Sequence, residues 1–150
     1  MRSPRSLSGL CCDGFGQNAQ SIFDNAAALT ASDPEKNLLF SVHMYDLFAD
    51  PAKVDTVLNQ AVTSSIPFIV GEFGQQLNGV TVAWERVLAT SNQLHLGYIA
   101  WSWMGNDMAT AQLNMAETWE GPLTAWGQSV VSGPNGITQT SQKCSIFVAP

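Results

Sequence analysis

The chain has 150 residues, of which 45% are hydrophobic and 12% charged, with a net charge of −6 and a pI near 4.5. That length holds one domain with a sizeable core, and that balance excludes a disordered chain. The acidic surplus leaves no basic patch to neutralise phosphates, so nucleic acid is excluded as an expected partner; the one basic cluster is Arg2 with Arg5.

In chain order, residues 1–12 carry no periodicity and read as an irregular N-terminal end, followed by one domain over 13–150. Residues 17–31 place Ile22, Phe23, Ala26, Ala27 and Leu29 at helical spacing, and Asp33-Pro34 stops the helix. Residues 38–45 read as a strand. Asp50-Pro51 is a helix start, with Asp as N-cap and Pro at the first helical position, and Ser64-Ser65 ends that helix. Pro67-Phe68-Ile69-Val70-Gly71-Glu72-Phe73-Gly74 is a near-continuous apolar run, which reads as a parallel strand covered on both faces. Asn78-Gly79 signals a turn, and 80–90 reads as a third helix with Trp84, Val87 and Leu88 inward. A strand over 96–103, a polar loop over 104–117 and a last helix over 123–131 follow. Gly133-Pro134-Asn135-Gly136 closes that helix, and the tail over 137–150 reads as irregular.

Strands alternating with helices through short connections predict a parallel α/β sheet built from βαβ units. A doubly wound sheet and part of a (β/α)8 barrel both fit. A complete barrel usually needs about 250 residues, so the barrel reading requires a fragment.

No stretch has the length of a transmembrane helix, and no apolar segment follows Met1 as in a signal peptide, so neither a membrane partner nor a leader is expected in this chain. Cys11, Cys12 and Cys144 are odd in number and lack C-x-x-C spacing. They fit a pairing of Cys11 or Cys12 with Cys144, but buried or idle thiols are the favoured reading. No metal-ligand spacing occurs. Gly14-Phe15-Gly16 lacks the third glycine of a dinucleotide loop, and neither a P-loop nor G-x-S-x-G is present. No cofactor and no metal are expected.

The chemistry-bearing residues fall at strand ends. The strand over 38–45 ends in His43-Met44-Tyr45, the next in Glu72, and the third in Trp101-Ser102-Trp103. Ligands of parallel α/β sheets bind at the carboxyl ends of the strands. An unpartnered carboxylate loses several kcal/mol on leaving water, so Glu72 is expected to be paired or put to use. His43 by itself also fits a core histidine, and Tyr45 a packing residue with a wet hydroxyl. Trp101 and Trp103 should alternate in side, one toward the mouth and one toward the helices. Asp46 and Asp107 read as solvated loop charges. A carboxylate with aromatic platforms suits sugars: indole faces stack on pyranose rings and carboxylates act on glycosidic bonds.

These strand ends together resemble a known family. Phe40-Ser41-Val42-His43-Met44-Tyr45, Val70-Gly71-Glu72-Phe73-Gly74 and Trp101-Ser102-Trp103-Met104-Gly105-Asn106 resemble the sixth, seventh and eighth strands of family 5 glycoside hydrolases, closest to bacterial endo-β-1,4-mannanases, with cellulases next. Asp13-Gly14-Phe15-Gly16-Gln17-Asn18 is similar to the loop after the fifth strand. The stretch from Leu123 to Ile137 is similar to the last helix and its exit. The resemblance implies a partial (β/α)8 TIM barrel, covering roughly strands five or six to eight. It also implies a retaining mechanism on a β-1,4-linked polysaccharide, mannan before glucan, with secretion of the complete protein. By the same resemblance Glu72 would be the nucleophile, Tyr45 its hydrogen-bonding partner and His43 a residue lining the −1 subsite. Trp101 would be the platform under the −1 sugar, and Asn106 would lie in the substrate-facing loop.

The sequence departs from the family at the acid/base glutamate, which belongs to an Asn-Glu pair. The residues before Glu35, Glu72, Glu85, Glu117 and Glu120 are Pro, Gly, Trp, Ala and Trp. The chain is therefore expected to be a carboxyl-terminal half with little or no activity of its own, and to self-associate through open sheet edges. A non-catalytic carbohydrate-binding remnant is the alternative.

Overall fold

The computed structural model of the chain describes residues 5–8 and 17–142. Cys11, Cys12 and Cys144, with their pairing, lie outside the described residues, as do Asp13 to Gly16 and residues 143–150. The elements in chain order are β1 (Arg5–Ser8), α1 (Ala19–Ser32), β2 (Leu38–Met44), α2 (Pro51–Thr63), β3 (Phe68–Phe73), β4 (Gln76–Leu77), β5 (Val80–Thr81), α3 (Trp84–Gln93), β6 (Gly97–Ala100), α4 (Ala125–Val131) and α5 (Ile137–Thr140). Among the described residues β1, β2, β3 and β6 form one parallel sheet, adjacent in chain order.

The helices start where local chemistry allows. Asn18 caps α1 by accepting from the Ser21 N–H at 3.1 Å. Asp50 caps α2 by accepting from the Ala52 N–H at 2.9 Å, with Pro51 at the first turn as expected. Thr124 caps α4 by accepting from the Gly127 N–H at 3.1 Å. Helices α1 to α4 send apolar residues into one shared core: Ile22 and Ala26 from α1, Val54, Leu58 and Ala61 from α2, Val87 and Leu88 from α3, Trp126 and Val130 from α4. The sheet answers with Phe40, Val42, Met44, Phe68, Val70 and Phe73. Side chains of this size gain about 1.5–3 kcal/mol each on full burial, so this layer holds the sheet in place.

Five expectations change. Residues 5–8, inside the end expected to be irregular, run as β1 with Arg5 opposite Leu38 and Ser8 opposite Ser41. A strand so short is held by the hydrogen-bonding edge of β2, a neighbour that no local pattern reports. The helix expected over 80–90 starts at Trp84, because Asn78-Gly79 closes a hairpin and Val80–Thr81 pairs with Gln76–Leu77. Both turn residues take positive φ, 51° and 77°, as a two-residue hairpin turn asks. The strand expected over 96–103 ends at Ala100, and the tail contains α5. Among the described residues the sheet is covered by helices on one face instead of two. On its other face Ile69 is half-buried and Ile99 is 56% exposed.

Candidate active site

The site begins with a break in register. Val42 pairs with Val70, but His43 pairs with Glu72, so Gly71 is the extra residue of a β-bulge. The β6 neighbour shows the same offset, with Val70 opposite Tyr98 and Phe73 opposite Ala100. Strand side chains alternate with period two, so an unbroken strand would put Glu72 beside Val70 on the helix-facing side. The bulge reverses the phase. Phe73 joins Phe68 and Val70 in the core, and Glu72 turns to the opposite face with His43. Glycine fits position 71 because a Cβ there would run into the Ser41 hydroxyl unless that side chain turned away.

Glu72 then meets two partners from the end of β2. The Tyr45 hydroxyl donates to Glu72 Oε2 at 2.9 Å, and His43 Nδ1 lies 3.3 Å from the same oxygen. Tyr45 is 4% exposed. Its burial, followed by the charge and the hydrogen bond of Glu72, pushes the phenol well above its ordinary value. The phenol therefore stays a donor to Glu72. The structure thus brings together Glu72, His43 and Tyr45. The mouth is further shaped by Gly74, where a Cβ would sit 2.5 Å from Leu113 and 3.3 Å from the Tyr45 ring.

A second layer, invisible in the sequence, holds Tyr45. Gln17 is 4% exposed at the entry to α1, and its Oε1 accepts from the backbone N–H of Tyr45 at 3.2 Å and of Leu47 at 3.1 Å. Its Nε2 donates to Asp46 Oδ1 at 2.8 Å, while Asn78 Nδ2 donates to Asp46 Oδ2 at 3.0 Å. Desolvation raises the Asp46 carboxyl, but the hydrogen bonds from Gln17, Asn78 and the backbone outweigh it and hold the group below the usual range. Asp46 is a clasp between α1, the end of β2 and the β4–β5 hairpin instead of a solvated loop charge. No sequence motif reports this, because a glutamine before a helix is ordinary until its partners are known.

The aromatic side of the mouth comes from the segment after β6. Trp101 is 42% exposed, and its backbone is fixed at both ends. Its N–H donates to the Phe73 carbonyl at 2.8 Å and its carbonyl accepts from Trp126 Nε1 at 3.1 Å. The Trp101–Ser102 peptide is cis. From Ser102 the chain leaves β3 and bonds to 113–116 instead, through Ser102 N–H to Leu113 O at 3.0 Å and Ala116 N–H to Trp103 O at 2.8 Å. Alternation therefore fails here: Trp103 also faces out, 39% exposed, with its indole N–H on the Trp119 carbonyl at 3.0 Å. Trp84 and Trp126 pack edge-to-face in the core, 5.5 Å between centroids, and Trp119 lies on the surface. Asn106 lies beside Trp101, whose Nε1 donates to Asn106 Oδ1 at 2.8 Å.

Among the described residues no group of three or more His, Cys, Asp or Glu is arranged to hold a metal, and no helix is long and apolar enough to cross a membrane.

This geometry can be set beside known proteins. The model of the cellulase family (glycosyl hydrolase family 5) matches residues 10–107. A mannan endo-1,4-beta-mannosidase of Streptomyces lividans is 38% identical over 124 residues, covering 82% of this chain and 32% of that protein. One of Cellvibrio japonicus is 35% identical over 135 residues, covering 89% of this chain and 31% of that protein. The crystal structure of the beta-mannanase from Streptomyces thermolilacinus with mannohexaose superposes with a TM-score of 0.81 at 35% identity, covering 90% of this chain and 45% of that one. The chain spans about a third of the length of the curated relatives it matches. With more than half of its residues inside the family match, the chain belongs to glycosyl hydrolase family 5.

Proposed function

We propose that this chain is the carboxyl-terminal part of a retaining endo-β-1,4-glycanase acting on mannan, and that Glu72 is its nucleophile. The observation that carries the reading is the Tyr45 hydroxyl on Glu72 Oε2 at 2.9 Å, with His43 at 3.3 Å from the same oxygen. Two contacts on one oxygen orient the carboxylate, and they leave Oε1 to attack the anomeric carbon. The covalent glycosyl-enzyme then forms as the glycosidic C–O bond breaks, and water later releases the sugar. Trp101 supplies the apolar platform for the sugar at the cleavage point. Mannan is preferred over glucan because the similar proteins reported above are mannan endo-1,4-beta-mannosidases and a beta-mannanase determined with mannohexaose.

The four adjacent parallel strands read as one side of a (β/α)8 barrel, with the Glu72 face turned to its interior. A retaining site needs a second carboxyl about 5–5.5 Å from the nucleophile to protonate the leaving oxygen. This sequence holds no Asn-Glu pair, so the acid/base belongs to barrel strands outside it. The 150-residue chain therefore has little or no turnover by itself, and its open edges favour self-association. Secretion of the complete protein follows from a polymeric substrate outside the cell. A binding role without hydrolysis is the second reading, favoured by the exposed Trp101 face beside a single carboxylate.

The test joins this chain to the missing barrel strands and offers mannan, carboxymethylcellulose and a 2-fluoro-mannoside that traps glycosyl-enzymes. The expected result is mannan hydrolysis, loss of it in Glu72→Gln, and a covalent adduct on the Glu72 peptide. Turnover that survives Glu72→Gln, or an adduct on another residue, overturns the nucleophile assignment. Reducing-sugar release by the 150-residue chain, lost in Glu72→Ala, overturns the inactivity.

A further inference from the structure

We infer that Asn114, acting through Asn106, is the positioning residue of the Trp101 platform. The inference rests on the reading of Trp101 as a sugar platform. An exposed indole on a loop has two side-chain torsions to lose when a ligand stacks on it. Fixing them beforehand removes that cost from binding. The structure contains a chain of contacts that does so. Trp101 Nε1 donates to Asn106 Oδ1 at 2.8 Å. The Asn106 amide cannot rotate, because its Nδ2 donates to Asn114 Oδ1 at 2.7 Å and to Ser102 Oγ at 2.9 Å. Asn114 Oδ1 also accepts the backbone N–H of Asn106 at 3.1 Å. Asn114 thus grips Asn106 by main chain and side chain at once.

Asn114 is itself anchored. Its backbone carbonyl accepts from Thr124 Oγ1 at 2.7 Å, and Thr124 is the cap of α4. The same helix carries Trp126, whose indole N–H holds the Trp101 carbonyl. The ring and the backbone of Trp101 are therefore tied to one helix by two separate routes.

The network changes what each residue offers a ligand. Both amide hydrogens of Asn106 and the indole N–H of Trp101 are committed to protein partners. An amide oxygen has two lone pairs, and one is used by Trp101. Asn106 is left as an acceptor toward a sugar hydroxyl, and Trp101 presents its ring face without a donor. Recognition at this platform selects the apolar face of the sugar, with the Asn106 oxygen as an acceptor beside it.

Asn114→Ala removes the acceptor, whereas Asn114→Asp keeps it. The experiment uses the full chain labelled with 15N-indole tryptophan, with Trp101→Phe to identify the Trp101 signal. Hydrogen exchange of that indole N–H is measured, and mannohexaose binding is followed by calorimetry. Asn114→Ala is expected to speed exchange at Trp101 at least tenfold and to weaken mannohexaose roughly three- to tenfold. Asn114→Asp is expected to restore both. Unchanged exchange in Asn114→Ala overturns the inference, as does faster exchange with unchanged sugar affinity. If Asn114→Ala fails to fold, Asn106→Ala, which removes the acceptor of the indole directly, carries the same expectations. Absence of mannohexaose binding by the parent chain counts against the platform reading of Trp101, and the exchange arm still decides whether Asn114 holds the ring.

Discussion

The two faces of the central sheet are built from the same strands and obey different rules. On the helix-facing side Phe40, Val42, Met44, Val70 and Phe73 are almost wholly buried, and each is replaceable in kind by another apolar residue of similar volume. On the opposite side His43 and Glu72 stand half-exposed beside Ile69 and Ile99, and each contact depends on one atom of one residue. One face stores the stability and the other holds the residues proposed for the chemistry. The bulge at Gly71 is the hinge between them, since it sends Phe73 one way and Glu72 the other.

The largest effect should come from the packed face. Phe73 meets Tyr98 and Trp126 edge-to-face, both at 5.8 Å between centroids, and Phe73→Ala is expected to cost about 3–5 kcal/mol in urea unfolding. A small loss there would mean that the two faces do not differ as described. Next is the hinge. Gly71→Ala forces the new methyl into the Ser41 hydroxyl, with an expected loss of about 1–3 kcal/mol. Ser41→Ala in the same molecule should recover part of it, and strict additivity in the double-mutant cycle would contradict the clash.

Smaller effects belong to the chemical face. Tyr45→Phe removes one hydrogen bond to Glu72, for about 1 kcal/mol or less at neutral pH. It should also change the alkaline limb. The folded Tyr45 phenol titrates above its ordinary value of 10.0, so the unfolded chain releases that proton first. The stabilising preference is complete below that ordinary value and is lost as pH rises beyond it. Stability of the parent chain should therefore fall more steeply above about pH 10 than that of Tyr45→Phe, as urea midpoints across pH 8–11.5 would reveal. The smallest shift is expected for Glu72→Gln, within about 0.5 kcal/mol of the parent, although it removes the proposed nucleophile. A large loss of stability in that variant would make Glu72 a structural residue and erase the distinction between the faces.

Much of this was legible beforehand, for identifiable reasons. The helix starts at Asp50-Pro51 and the parallel strands β2 and β3 follow from capping chemistry and from runs of apolar residues, which act within a few positions of themselves. Placing Glu72, His43 and Tyr45 at neighbouring strand ends required only that successive parallel strands lie side by side. The short β1 was not legible, because its partner is remote in sequence. Nor was the hairpin that shortens α3, because Val80-Thr81 fits a helical pattern until Gln76–Leu77 pairs with it. The orientation of Trp103 and the Asn106–Asn114 clamp escaped because residues 102–116 take most of their backbone partners from one another and not from the sheet strands.

The sequence by itself determined the alternation of strands and helices and which side chains stand at the mouth, since both depend on local spacing and on residue chemistry. Tertiary structure decided how they point. A one-residue bulge reverses the phase of β3, Gln17 pins Tyr45 from across the chain, and Asn114 grips the residue that holds Trp101. The bulge and the Gln17 contact join segments far apart in sequence, and the Asn114 grip closes on a residue of its own loop. Each depends on distances that the packing of neighbouring elements sets, so no local pattern encodes it.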